Sequence, residues 1–405
     1  MKRRELLRGL SVLPLAGGIL GTVAPFESKA SPPGKKRDLF KELGVRTFIN
    51  AAGTYTFMTG SLMHEEVMDA IRSSWQDFCL LDELQDKVGE KIALLTKAES
   101  AVVTSGCFSA MTLGLAGVLT GTDPKKAEQL PHLEGTGMKS EVIVQKGHSV
   151  GYSQALTNTG CKIVFVETAA DVEKMINEKT AMLWFLNIQS DKGSITHEQW
   201  VALGKKYNIP TMIDIAADVP PVSNLWKFNE MGFDLVCISG GKAMRGPQSA
   251  GILMVKKNLI AAARISMPPR GSTIGRGMKV NKEEIVGMYV AVEHFLNYDH
   301  EKEWKEWEQR IATIENAVKN INGIGTEVKV PTLGNVTPTL HVTWDAAKIK
   351  LTTEELQQKL RNGDPSIEIV GNEETHISIT SWVMKPGEEK KVAKRLKEVL
   401  STAAV

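Results

Sequence analysis

The stretch FDLVCISGGKAMRGPQSAGIL, Phe233 to Leu253, decides the fold. It contains an apolar run with no polar alternation, which reads as a strand buried on both faces. Two glycines and then Lys242 follow the run directly. A lysine at that place projects from the C-terminal end of a strand, where ligand sites in α/β sheets gather. Gly240, Gly241, Gly246 and Gly251 around it allow the backbone to approach a ligand closely.

Working outward, the same grammar recurs. SAVVTSGCFSAMTLGLAGVL reads as strand, Ser-Gly turn and apolar helix, and SEVIVQKGHSVGYSQAL as strand, glycine turn and helix. Further strands are expected at KIVFVE, TAMLWFLN and IPTMIDIAA, with helical stretches such as THEQWVALGKKYN between them. The spacing predicts helix from Glu65 to Leu95 and again from about Lys282 to Asn320. Alternating strands and helices imply an α/β fold, a doubly wound and mostly parallel sheet. The tail, with strands at PTLHVTWD and THISITSWVM and helices at TTEELQQKLRN and GEEKKVAKRLKEVL, implies a smaller α+β C-terminal domain. The expected organisation is an export signal over 1–30, a linker and N-terminal lead-in over 31–64, a large cofactor domain over 65–300 and a small domain over 301–405.

Composition narrows the class. The chain of 405 residues carries a formal net charge of +2, of which residues 1–30 contribute +3, leaving about −1 for the rest. A body this close to neutral lacks the basic field of a nucleic-acid binder. The start, MKRRELLRGLSVLPLAGGILGTVAPFESKAS, has a basic beginning, an apolar run and small residues at Ser28 and Ala30. That order is a signal peptide, and Arg3-Arg4 before Leu6-Leu7 resembles a twin-arginine export signal cleaved near Ala30. The apolar run is too short and glycine-rich for a stable membrane span, so a bacterial periplasmic or exported protein is expected. Cys79, Cys107, Cys161 and Cys237 sit among apolar or small residues without a CxxC pair and are expected to be buried free thiols. No HExxH spacing occurs, and His64-Glu65 and His197-Glu198 are isolated pairs, so no metal site is expected.

Four features meet at expected strand ends. Ser105, Gly106 and Cys107 open a helix, where free N–H groups and the helix dipole hold phosphate. His148, at the next strand end, offers a ring to stack on a flat cofactor. Asp214 lies in an apolar strand and needs a cationic partner if it is to stay ionised. Lys242 follows 28 residues later, with Ser239 as a further phosphate donor. Each feature alone is common in α/β proteins. In this order they are what a pyridoxal 5'-phosphate site requires: a lysine for the Schiff base and an aspartate to keep the pyridine nitrogen protonated.

At these residues the sequence resembles the D-glucosaminate-6-phosphate ammonia-lyase family of fold-type I (aminotransferase-like) pyridoxal phosphate enzymes, related to L-seryl-tRNA(Sec) selenium transferase. The segments that carry the resemblance are INAAGTYTFMTGS, LDELQDKVGEKIALLTKAESAVVTSGCFSAM, VIVQKGHSVGY, IDIAADVPP, DLVCISGGKAMRGPQSAGIL and GRGMKVNKEEIVGM. The resemblance implies Lys242 as Schiff-base lysine, Asp214 as pyridinium partner, His148 as stacking residue, and Ser105, Gly106, Cys107 and Ser239 as the phosphate cup. It implies Gln248, Arg276 and Lys279 near phosphate or substrate carboxylate, and a homodimer or higher homo-oligomer with sites at subunit interfaces. The chain departs from the selenium transferases at Gly60-Ser61 and at ISITSW, where they carry arginines, which speaks against selenium transfer.

The expected activity is a lyase converting a β-hydroxy α-amino acid or amino sugar acid to a 2-oxo acid and ammonia. Export favours an unphosphorylated small-molecule substrate. A racemase or epimerase and an aminotransferase share the same carbanion chemistry, and a retired enzyme acting as an envelope binding protein is the non-enzymatic alternative.

Overall fold

The strand Thr180–Leu186 is buried at all seven positions, and its two faces organise the molecule. Leu183 and Phe185 join Ile143, Ile213 and Val236 in one apolar layer. Met182, Trp184 and Leu186 join Val144, Met212 and Cys237 in the other. Helices cover both faces, so the strands are apolar throughout rather than alternating.

The structure is a computed structural model that describes residues 37–405. The expected export signal and residues 31–36 lie outside the described residues. Residues 37–47 belong to a separate unit from Phe48–Val405. They include the helix Leu39–Glu42, whose cap Asp38 accepts from the Lys41 N–H.

The central sheet has seven strands: β1 Ser100–Thr104, β2 Glu141–Gln145, β3 Lys162–Val166, β4 Thr180–Leu186, β5 Thr211–Asp214, β6 Leu235–Ser239 and β7 Gly251–Val255. Their order is β1-β7-β6-β5-β4-β2-β3. Only β7 runs against its neighbours, pairing antiparallel with both β1 and β6. One layer holds α1 Glu65–Ser74, α2 Leu81–Thr96 and the helix His197–Tyr207. The other holds α3 Gly106–Thr120, which is buried nearly all round between the sheet and the helix Lys257–Ile265. Back on the first layer lies α4 Lys282–Asn297, and α5 His300–Val318 follows it.

A second, four-stranded antiparallel sheet comprises β8 Ile324–Lys329, β9 Thr339–Trp344, β10 Val370–Glu373 and β11 His376–Thr380, in the order β10-β11-β9-β8. Leu340 and Val342 on β9 and Ile377 and Ile379 on β11 alternate inward, as one buried face demands, against α5 and α6 Glu388–Thr402. Ile49–Asn50 pairs parallel with Ile367–Glu368 beside this layer.

Four sequence expectations change. The 282–320 helix is two helices, because Asp299 caps a new one through its bond from the Lys302 N–H, 3.0 Å. The 65–95 helix is likewise split by the exposed residues Trp75, Phe78 and Leu80. Cys79, in that break, is exposed, whereas Cys107, Cys161 and Cys237 are buried, and all four are free. Strand β7 was not anticipated, and it proves central to the site.

Candidate active site

Gly251, the first residue of β7, pairs with Thr104 on one side and Ser239 on the other. The turn at Ser105–Cys107 and the loop leading to Lys242 are thereby neighbours across one strand. The approach is close. A Cβ on Gly251 would stand 2.5 Å from the Gly106 carbonyl carbon and 2.7 Å from the Cys107 nitrogen. Any side chain here would push the opening of α3 away.

Ser105 precedes α3 without capping it through its side chain, and its Oγ donates to Ser109 Oγ instead, 3.0 Å. Gly106 takes φ +85°, a left-handed conformation that glycine adopts freely. The first N–H groups of a fifteen-residue helix thus open at the strand ends with no side-chain cap, the usual setting for a phosphate group.

The lysine loop is closed on itself. Arg245 N donates to Lys242 O at 2.9 Å, Gly246 N to Gly240 O at 3.0 Å and Gly240 N to Ala250 O at 2.8 Å. From the N-terminal side, Ser61 N and Oγ both donate to Gly241 O, at 3.1 and 3.0 Å, and Gln248 Nε2 donates to Thr56 O at 3.2 Å. Between them lies a cavity of about 280 Å³ lined by Thr54, Thr56, Ser239, Lys242, Gln248 and Ser249, with Gly60 and Gly241 completing the wall.

Asp214 is 3% exposed at the end of β5, opposite Cys237 on β6. Its Oδ1 accepts from Ala216 N at 2.8 Å and lies 3.4 Å from Cys107 Sγ. Among the described residues no cation hydrogen-bonds to it, and burial pushes its carboxyl above the usual range, with the Lys242 charge opposing. Hydrogen bonding to Cys237, burial and the Asp214 charge keep the Cys107 thiol protonated. Cys107 is therefore placed by its backbone at the phosphate turn and by its side chain against Asp214.

A second carboxylate was missed in the sequence reading. Asp218 is 2% exposed, its Oδ1 accepts from Gly334 N at 3.0 Å, and burial pushes its pKa up to about 6 against the bond from Asn187. The Asp214 and Lys242 charges both act on it, so it borders the same site. The available signal was a second acid within IDIAADVPP, four residues after the first.

Other expected residues stand apart. His148 is fully buried at the end of β2 and does not line the cavity. Its Nδ1 accepts from Leu186 N at 3.2 Å and its ring meets Phe185 edge to face at 4.5 Å. The ring has no exposed face, and burial pushes its pKa down to about 4. Arg276 and Lys279 are exposed and also lie outside the cavity wall.

The constellation fits pyridoxal phosphate on structural grounds. A buried carboxylate lacks a hydrogen-bonded cation, an uncapped helix start lies across β7, and a lysine enters a cavity walled by glycines. The comparisons agree. The class-V aminotransferase family model matches residues 139–332. The D-glucosaminate-6-phosphate ammonia lyase of Salmonella typhimurium is 27% identical over 381 residues, 91% of this chain and 99% of that protein. A solved structure of a D-glucosaminate-6-phosphate ammonia-lyase superposes with a TM-score of 0.80 at 26% identity, covering 91% of this chain and all of the other. This is a fold-type I pyridoxal phosphate enzyme. Within that group it is similar to the ammonia lyases along nearly its whole length. It is more distantly similar to the L-seryl-tRNA(Sec) selenium transferase of Aquifex aeolicus, 27% identical over 57% of this chain and 56% of the relative. Lys242 and Ser239 line the cavity, and the Ser105–Cys107 turn and Asp214 lie at neighbouring strand ends of the same sheet.

Proposed function

We propose that the protein is a lyase converting an unphosphorylated β-hydroxy α-amino acid, with an amino sugar acid such as D-glucosaminate as the leading candidate, to a 2-oxo acid and ammonia. One observation carries the reading: Lys242 lines a cavity with Ser239, and its charge acts on Asp214, a buried carboxylate to which no cation hydrogen-bonds among the described residues. The full-length likeness to an ammonia lyase sets the reaction class.

When bound, pyridoxal phosphate supplies an electron sink for charge developing at the substrate α-carbon. The N–H groups opening α3 and the hydroxyls of Ser105 and Ser239 are suited to its phosphate, and Asp214 to a protonated ring nitrogen. The Lys242 Nζ takes the α-proton and, as an ammonium, gives a proton to the departing β-hydroxyl, a role to which it is better placed than His148 or Lys279, neither of which lines the cavity. Loss of water leaves an enamine, whose imine form takes up water and releases ammonia. The net change is therefore substrate to 2-oxo acid plus ammonia.

Two further proposals accompany this. The Arg3-Arg4 signal exports the protein to the periplasm, which supports an unphosphorylated substrate. The chain works as a homodimer or larger homo-oligomer: Tyr55, Phe57, Leu62, Trp75, Phe78 and Leu80 are exposed apolar residues close in sequence to the cavity segment Thr54–Gly60. Arg276 and Lys279 would then serve a partner's cavity.

The test is to assay ammonia and keto acid release from D-glucosaminate and from a panel of D- and L-amino acids, with Lys242→Ala as control. Release that depends on Lys242 supports the lyase. Exchange of the α-proton without ammonia would replace it with a racemase, and pyridoxamine phosphate formation with an aminotransferase.

A further inference from the structure

His64 immediately precedes α1, Glu66 lies in its first turn, and His294 lies in the last turn of α4. The helices pack together and bring one ligand atom from each residue within 4.8 Å of the others. The His294 Nδ1 stands 3.8 Å from Glu66 Oε2, too long for a hydrogen bond. The His294 Nε2 is buried with no partner. The two imidazoles lie 4.4 Å apart between ring centroids, and the Tyr298 ring closes one side at 5.6 and 5.2 Å. Among the described residues, no hydrogen bond joins the three groups. A buried imidazole nitrogen without a partner, beside a second imidazole and a carboxylate, calls for one.

We propose that His64, Glu66 and His294 bind one divalent transition-metal ion, with Zn2+ as the natural occupant. Two imidazoles and a carboxylate suit a borderline ion and leave a coordination position for water. Ligand atoms around a tetrahedral ion of this kind stand about 3.4 Å apart. The required closure is therefore of the order of an ångström, available through the exposed Glu66 side chain. The nearby Arg245, whose Nε donates to Leu62 O at 2.8 Å, opposes a cation and keeps the site from being a very tight one. Arg245 also gives the ion a structural role. It sits three residues after Lys242, so a metal fixing Leu62–Glu66 to α4 braces the loop that presents the lysine. The sequence concealed the set because His294 lies 230 positions from His64.

The test uses the pyridoxal phosphate-loaded enzyme without a histidine tag, in a Cys79→Ser background to remove the exposed thiol, stripped with chelator and titrated with Co2+ and then Zn2+. The expected result is one Co2+ per chain with visible ligand-field bands, displaced by Zn2+. His64→Ala and His294→Ala abolish stoichiometric binding while keeping the cofactor absorption, and Glu66→Gln weakens binding about tenfold or more. Zn2+ at a hundredfold excess over Kd raises Tm by about 3 °C. Absence of saturable binding, or binding that persists in both histidine variants, overturns the proposal. Should those variants lose the cofactor band, the exposed Glu66→Gln decides, and unchanged affinity there overturns it.

Discussion

The Cys107 Sγ stands 3.4 Å from the Asp214 Oδ1, and both side chains are buried. A thiol is a weak donor, so it leaves the carboxylate its charge while excluding water. Replacing Asp214 by asparagine preserves the shape and the bond from Ala216 N but removes the charge. Turnover in Asp214→Asn is expected to fall at least about a hundredfold, with folding intact. Cys107→Ala removes only a weak bond and some packing, so a stability loss of about 1–2 kcal/mol and activity within tenfold of the parent are expected. Steady-state kinetics and urea unfolding on the two variants make the comparison. Equal kinetic losses would mean that the thiol, not the charge, is the essential partner.

Asp218 gives the apo-protein a pH dependence of definite sign. Its folded pKa, about 6, lies above the ordinary carboxylate value, so the folded state holds a proton that the unfolded state has released. Its contribution to stability is full below about pH 4 and falls as pH rises to about 6, by about 3 kcal/mol. Other groups titrate across the same window, His148 with the opposite sign. The measurement is therefore the difference between parent and Asp218→Asn in urea unfolding at pH 4.5 and 7. The variant should gain relative to the parent as pH rises, and a pH-independent difference would remove Asp218 from the account.

The strands were legible because β2, β4, β5 and β6 are buried along nearly their whole length and announce themselves as apolar runs, as the more exposed edge strand β3 also does. Lys242, Asp214 and the Ser105–Cys107 turn followed from their places at strand ends. Strand β7 was passed over although Gly246-Pro247 marks a turn before it, because GILMV runs on from the lysine loop and its place in the sheet shows only in the pairing with β1 and β6. For His148, a strand-end position says where the backbone goes and nothing about which way the ring turns, and the ring lies buried against Phe185. Asp218 escaped because a carboxylate four residues beyond another reads as loop chemistry until Gly334, distant in sequence, supplies its hydrogen bond.

Gly251→Ala tests the bridge between phosphate turn and lysine loop. The new methyl would sit 2.5 Å from the Gly106 carbonyl carbon and meet backbone on both sides, which cannot swing aside. Pyridoxal phosphate affinity is expected to fall at least about tenfold, and stability by about 1–3 kcal/mol from overpacking. Gly277→Ala, where a Cβ meets nothing within 4 Å, should change neither. Cofactor titration followed by absorbance reads the effect. Wild-type affinity in Gly251→Ala would mean that the phosphate lies elsewhere.

His148→Asn separates packing from cofactor stacking. Asparagine can still accept from Leu186 N with its side-chain oxygen, but it gives up the ring contact with Phe185. If His148 packs the sheet end, the variant loses about 1–3 kcal/mol in urea unfolding from the void it leaves. Its cofactor affinity and visible spectrum stay within about threefold of the parent. A ring stacked on the cofactor would give the reverse pattern, a large loss of affinity and a shifted absorption band with little change in the apo-protein's stability. The full burial of the imidazole favours the first outcome, because a side chain with no exposed face must be repacked before it can meet a ligand.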